Sequence, residues 1–217
     1  MYIYMKIFVV HYAKLTKRKD SIIKQLSKYN FDFEFISNHG KENLTHEDKN
    51  MFRNISDGEI SVALHHIECY KRIVEENIDY ALILEDDILL CNNFRQILEL
   101  YIKELPSDWE MLFIGDGCGL HIDKNLLIPE KHIYKKDNVN NGKKHGGATR
   151  CLDSYLISNK CAKIITEKLK LPNYTILVPV DLWMNCVVRN NNFNVYWGEP
   201  TIVTQGSEKG IFKSSLR

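Results

Sequence analysis

A chain of 217 residues, 44% hydrophobic and 26% charged, has an ordinary globular composition with room for one substantial core. Its formal net charge of +1 excludes the strong basic excess of a nucleic-acid binder, so no nucleic-acid partner is expected. No apolar run reaches the roughly 18–20 residues of a transmembrane segment, and the opening residues lack a secretory signal peptide. A cytoplasmic protein, or one peripheral to a membrane, is therefore expected, with its six widely spaced cysteines reduced and mostly buried.

Ile7-Phe-Val-Val is a short continuous apolar run, as in a strand buried on both faces. Ile22, Ile23 and Leu26 then recur at helical spacing within Thr16 to Lys28, and Phe31, Phe33 and Phe35 alternate with acids as in a strand. This β-α-β order predicts a parallel sheet. Ser56-Asp-Gly-Glu59 has the S-x-x-E capping-box pattern at the start of a helix. Ala81 to Leu84 reads as a second buried strand, ending in Glu85-Asp86-Asp87. A helix from Phe94 to Leu105 stops at Pro106, and a strand from Met111 to Ile114 stops at Gly115.

Residues 115–148 carry six glycines and Pro129 without any period, which marks an irregular, functional or mobile segment. The stretch from Lys131 to Arg150 holds Lys131, Lys135, Lys136, Lys143, Lys144 and Arg150 and fits either a basic lid over an anionic ligand or a solvated loop. Regular structure resumes with a strand at Ser154-Tyr-Leu-Ile, helices over Asn159 to Leu169 and after Pro179, and a strand at Asn194-Val-Tyr-Trp. The expected fold is α/β: one domain over 1–217 with a mostly parallel central sheet.

The acidic tripeptide is the most informative local feature. In open parallel sheets ligands sit beyond the carboxyl ends of strands, and adjacent carboxylates that repel one another favour a hard divalent cation, Mn²⁺ or Mg²⁺. Strand alternation would point Glu85 and Asp87 one way and Asp86 the other. Strands also end in acids simply because polar residues terminate a buried run.

Four blocks resemble glycosyltransferase family 25, which includes lipooligosaccharide sugar transferases and collagen galactosyltransferases. They are Phe8-Val-Val-His-Tyr with Lys17-Arg18; Asp57-Gly-Glu-Ile-Ser-Val-Ala-Leu-His-His; Ala81-Leu-Ile-Leu-Glu-Asp-Asp; and Ser154-Tyr-Leu-Ile-Ser joined to Pro179-Val-Asp, Glu199-Pro and Gln205-Gly-Ser. The resemblance implies a GT-A-like fold, a nucleotide-sugar donor (usually a UDP-sugar), a divalent metal and inversion at the anomeric carbon. The acceptor would be a glycan, a lipid-linked saccharide or a hydroxylated protein side chain. His65 and Ser61 depart from the family pattern, and no histidine follows His145 to serve as a C-terminal metal ligand.

On this reading Glu85 and Asp87 hold the metal. Asp181, at a helix start where it would otherwise be an N-cap, is the catalytic base. Arg18 is either a donor-diphosphate contact or a solvated charge. Glu59 caps its helix and faces the donor, with Asp86 in the same donor group. His66 is a donor contact or a core histidine, bordering the apolar stripe that His65 points away from. Trp197, Gln205 and Ser207 are placed at donor or acceptor sugar, though core packing is the commoner fate of a tryptophan. The alternative is a sugar- or nucleotide-sugar-binding module that kept the fold without the chemistry.

Overall fold

A computed structural model of the chain describes residues 5–136 and 150–214. Its first half runs β1 (Lys6–Val10), α1 (Thr16–Ser27), β2 (Phe33–Ile36), α2 (His46–Met51), α3 (Asp57–Glu75), β3 (Tyr80–Glu85), β4 (Ile88–Leu90), α4 (Phe94–Glu104) and β5 (Met111–Phe113). After two 3₁₀ turns at Gly117–Gly119 and Lys124–Leu126 come β6 (Ile133–Lys136), β7 (Ser154–Ser158), α5 (Asn159–Leu169), α6 (Val180–Asn191), β8 (Val195–Gly198) and β9 (Val203–Gln205).

Seven strands form one sheet in the order β2-β1-β3-β7-β5-β8-β6, and β4 and β9 form a separate two-stranded ladder. β1 pairs in parallel with β2 and β3, and β5 with β8. β7 lies antiparallel to both β3 and β5, and β6 to β8. Only β7 and β6 are therefore reversed, and the sheet is mostly parallel, as the β-α-β order predicts.

The continuous apolar runs arise because both faces of the sheet are covered. Ile7 and Val9 of β1 face a core with Ile22 and Leu26 of α1 and Phe94, Leu98 and Tyr101 of α4. Phe8 and Val10 face the other core, where Ile60, Leu64, Ile67 and Tyr70 of α3 meet Cys161 and Ile165 of α5 and Trp183 and Met184 of α6. Each such fully buried apolar side chain contributes on the order of 1.5–3 kcal/mol relative to exposure. Both halves of the predicted capping box form: Ser56 N donates to Glu59 Oε2 at 2.7 Å and Glu59 N to Ser56 Oγ at 3.3 Å. In α1, Ile23 is 40% exposed, and Arg18 instead joins Ile22 and Leu26 on the buried side.

Three expectations change. The segment beginning at residue 115 is not irregular throughout, since Ile133–Lys136 is the edge strand β6. Of the basic residues assigned to a lid, Arg150 and Lys136 are buried, with Trp197 beneath them at 4.2 and 4.3 Å. Lys143 and Lys144 lie outside the described residues. The cysteines are not mostly buried: only Cys69 and Cys161 are, while Cys118 is exposed. Among the described residues no helix is long and apolar enough to cross a membrane.

Candidate active site

β1 and β3 are adjacent and parallel, so their carboxyl ends deliver His11 and Glu85 to the same edge of the sheet. The strand stops at Glu85, and Asp86 and Asp87 form the turn into β4. Strand alternation therefore does not determine where these two side chains point. Ladder pairing does: β4 is held by β9, with Ile88 opposite Gln205, and Gly206 N donates to the Asp87 carbonyl at 2.6 Å.

Asp86 is saturated. Its Oδ2 meets His11 Nδ1 at 2.7 Å and its Oδ1 accepts from Arg18 Nη1 at 2.7 Å, all three side chains being nearly inaccessible. Arg18 also donates to the Lys213 carbonyl and lies under the Phe212 ring at 5.7 Å. It is thus not a solvated charge, and it lines the cavity beside the acidic turn. Its guanidinium orders the acidic turn, reaching Asp87 Oδ2 at 3.7 Å.

Asp87 and Glu85 are the opposite case. Asp87 is 3% exposed with Oδ1 unpartnered, and burial raises its pKa against the pull of Ser207 and Arg18. The Glu85 carboxyl is pushed up to about 8, first by burial and then by Asp87, Asp86 and Asp181. His66 Nε2 and Gln205 Nε2 are each 3.5 Å from its oxygens. Both carboxylates line one cavity with Arg18, Tyr12, Ser61, His65, Gln205 and Ser207. Two crowded, under-satisfied carboxylates facing a cavity suit a divalent cation. No set of three or more His, Cys, Asp or Glu side chains placed to hold a metal occurs among the described residues, so the remaining ligands would be phosphate and water.

A second cavity adjoins the first. Glu85, Gln205 and Val62 line both, and the second adds Glu59, Cys151, Leu152, Pro179, Val180 and Asp181. Asp181 is not the N-cap of α6; Pro179 occupies that position. The Asp181 Oδ1 accepts from Leu182 N at 2.8 Å, and the side chain is only partly buried.

His66 is wholly buried, its Nδ1 sharing a 2.8 Å hydrogen bond with the Tyr155 hydroxyl. Burial lowers the imidazole to about 3, so it is neutral at pH 7. His65 does not point away from the core: it is 1% exposed and accepts from His39 N at 3.0 Å. Trp197 is 2% exposed in the core and lines neither cavity. Sequence reasoning gave no role to His11, although it lies in the first block of the resemblance. It also passed over Asp153, which is 1% exposed with Oδ2 unpartnered and its pKa raised by burial. The Asp153 backbone carbonyl accepts from Glu85 N at 2.8 Å.

The family model described as "Glycosyltransferase family 25 (LPS biosynthesis protein)" matches residues 4–184. The chain belongs to glycosyltransferase family 25. Within the family it is 33% identical over 122 residues to a putative glycosyltransferase of Haemophilus influenzae, covering 49% of this chain and 43% of that protein. It is 27% identical over 170 residues to the lipooligosaccharide biosynthesis protein lex-1 of the same organism, covering 76% and 54%. A 66-residue stretch is 27% identical to mouse procollagen galactosyltransferase 2, covering 29% and 11%. The chain thus spans about half the length of the bacterial relatives. Among solved structures, a glycosyltransferase involved in glycosylation of the major capsid of PBCV-1 aligns with a TM-score of 0.41 at 10% identity, covering 91% of this chain and 94% of that one. Gln205 and Ser207 fall beyond the residues that the family-25 model matches.

Proposed function

We propose that this family-25 chain transfers a sugar from a nucleotide-sugar donor, a UDP-sugar in the first instance, to an acceptor hydroxyl with inversion. The observation carrying this reading is the pair of adjoining cavities that share Glu85 and Gln205, one lined by the acidic turn and the other by Asp181. The first cavity takes the donor. Asp86, His11 and Arg18 fix the turn, and Glu85 and Asp87 would hold Mn²⁺ or Mg²⁺. That ion would supply positive charge to the leaving diphosphate. Gln205 and Ser207 offer hydrogen bonds to the donor sugar.

The second cavity takes the acceptor. With the Asp181 Oδ1 engaged by Leu182 N, Oδ2 accepts the hydroxyl proton as the acceptor oxygen attacks the anomeric carbon. A positioned base of this kind contributes about 10²- to 10⁴-fold. A saccharide acceptor is favoured over a protein side chain: the lipooligosaccharide biosynthesis protein matches 76% of the chain, the collagen enzyme 29%.

The test is a panel of nucleotide sugars assayed for binding, slow hydrolysis and transfer to saccharide acceptors, with Mn²⁺ and with EDTA. Turnover of one donor that collapses in chelator is expected. Equal turnover in chelator would remove the metal from the reading, and tight binding without any turnover would make the chain a binding module.

A further inference from the structure

Cys118 and Cys151 lie 33 positions apart, yet their Sγ atoms are 2.9 Å from one another. Both are free thiols, Cys118 exposed and Cys151 partly buried. The contact is set by the backbone. A side chain on Gly117 would overlap the Arg150 carbonyl, so the two segments touch directly before either cysteine. Arg150 is itself anchored, donating to the Gly198 carbonyl at 2.9 Å and pairing with Glu199. Both cysteines take left-handed backbone angles, φ 57° and 70°, which non-glycine residues adopt infrequently and which here turn the two sulfurs together.

We propose that Cys118 and Cys151 are a thiol-oxidation site that takes small-molecule disulfides and closes into a reversible intramolecular bond. Cys118, the exposed sulfur, attacks the oxidant RSSR as its thiolate, forming a mixed disulfide and releasing one RSH. Cys151 then attacks the Cys118 sulfur, the new S–S bond forms, and the second RSH leaves. Two protein thiols are oxidised and one disulfide is reduced to two thiols. The order follows from the environments: burial and the neighbouring Cys118 raise the Cys151 thiol, which makes it the poorer first nucleophile. Once closed, the bond ties the turn after β5 to the wall of the cavity that holds Asp181, because Cys151 lines that cavity.

The full chain, reduced and freed of reductant, is exposed to oxidised glutathione, alkylated and analysed by intact and tryptic mass spectrometry. Of the six cysteines, two should lose reactivity together, with one cross-linked peptide pair joining Cys118 to Cys151, reversed by dithiothreitol. In C151S, Cys118 should carry a stable glutathione adduct, the trapped intermediate, and in C118S no cross-link should form. A wild-type chain that keeps all its thiols, stops at the Cys118 adduct, or cross-links other cysteines would overturn the assignment. None of these readouts depends on sugar transfer.

Discussion

The acidic turn and the start of α6 each contribute carboxylates to the candidate site, and they are built in opposite ways. At the turn, three consecutive acids are packed at the end of a buried strand, and only Asp86 has both oxygens engaged at 2.7 Å, by His11 and Arg18. At α6, a single acid stands apart, partly exposed, with one oxygen bonded to its own helix. Crowding and burial make the first group costly to ionise without a cation. The second is accessible to an incoming hydroxyl. On the proposed reading, charge stabilisation and proton transfer would fall on separate elements that meet at Glu85 and Gln205.

The largest effect that would break this division is at Asp181. Asp181→Asn keeps an oxygen to accept from Leu182 N, so folding and donor affinity should hold while transfer falls by about 10²-fold or more. Melting temperature, donor calorimetry and acceptor-dependent rate separate the outcomes. A stable variant with near-normal transfer would leave the base elsewhere, and a loss of donor binding would move Asp181 to the first cavity.

Within the turn, Asp86 and Asp87 should fail differently. Asp86→Asn strips the buried Arg18 and His11 of their charged partner and should destabilise by about 3 kcal/mol. That is the lower end for a broken buried pair, because Asp87 Oδ2 still faces Arg18 at 3.7 Å. Asp87→Asn removes a repulsive charge and should cost little stability, but should weaken cation-dependent donor binding at least about tenfold. Chemical denaturation and donor titration with Mn²⁺ measure both, and equal behaviour of the two variants would dissolve the distinction.

The smallest effect is on the pH profile. Glu85 is held at about 8 when folded against an ordinary 4.5. Between those values the folded chain keeps a proton that the unfolded chain has lost, so stability falls as pH rises through that window. With the Glu85 side chain 23% exposed, a change of about 1–2 kcal/mol is expected, short of the full shift. A divalent cation favours the ionised form and should flatten the slope, as should Glu85→Gln. Urea midpoints at pH 5 and 8, in EDTA and in Mn²⁺, test this; a slope unchanged by Glu85→Gln would assign it to Asp153 or Asp87.

What the sequence revealed follows from how local each signal is. The capping box at Ser56 and Glu59 and the apolar runs of β1 and β3 are legible because neighbouring residues make them. β6 was missed because Ile133-Tyr-Lys-Lys alternates poorly and sits at the sheet edge. β4 and β9 are three residues each and exist by pairing with one another. Strand period alone does not orient Asp86 and Asp87, because the partners of Asp86, His11 and Arg18, lie 75 and 68 positions away. No pattern joins Cys118 to Cys151 either. Proximity of that kind is a product of the fold.

The β4–β9 ladder also orders the site in time. Glu85, Asp86 and Asp87 leave the ribosome well before the strand that clamps their turn, Val203–Gln205. The carbonyl that closes over Arg18 belongs to Lys213, 195 positions later. A nascent chain therefore carries these crowded charges without the segment that holds them until that segment is made. The site is completed only when residues 203–213 have emerged, so a product arrested or truncated before them carries the acidic turn without the clamp that organises it.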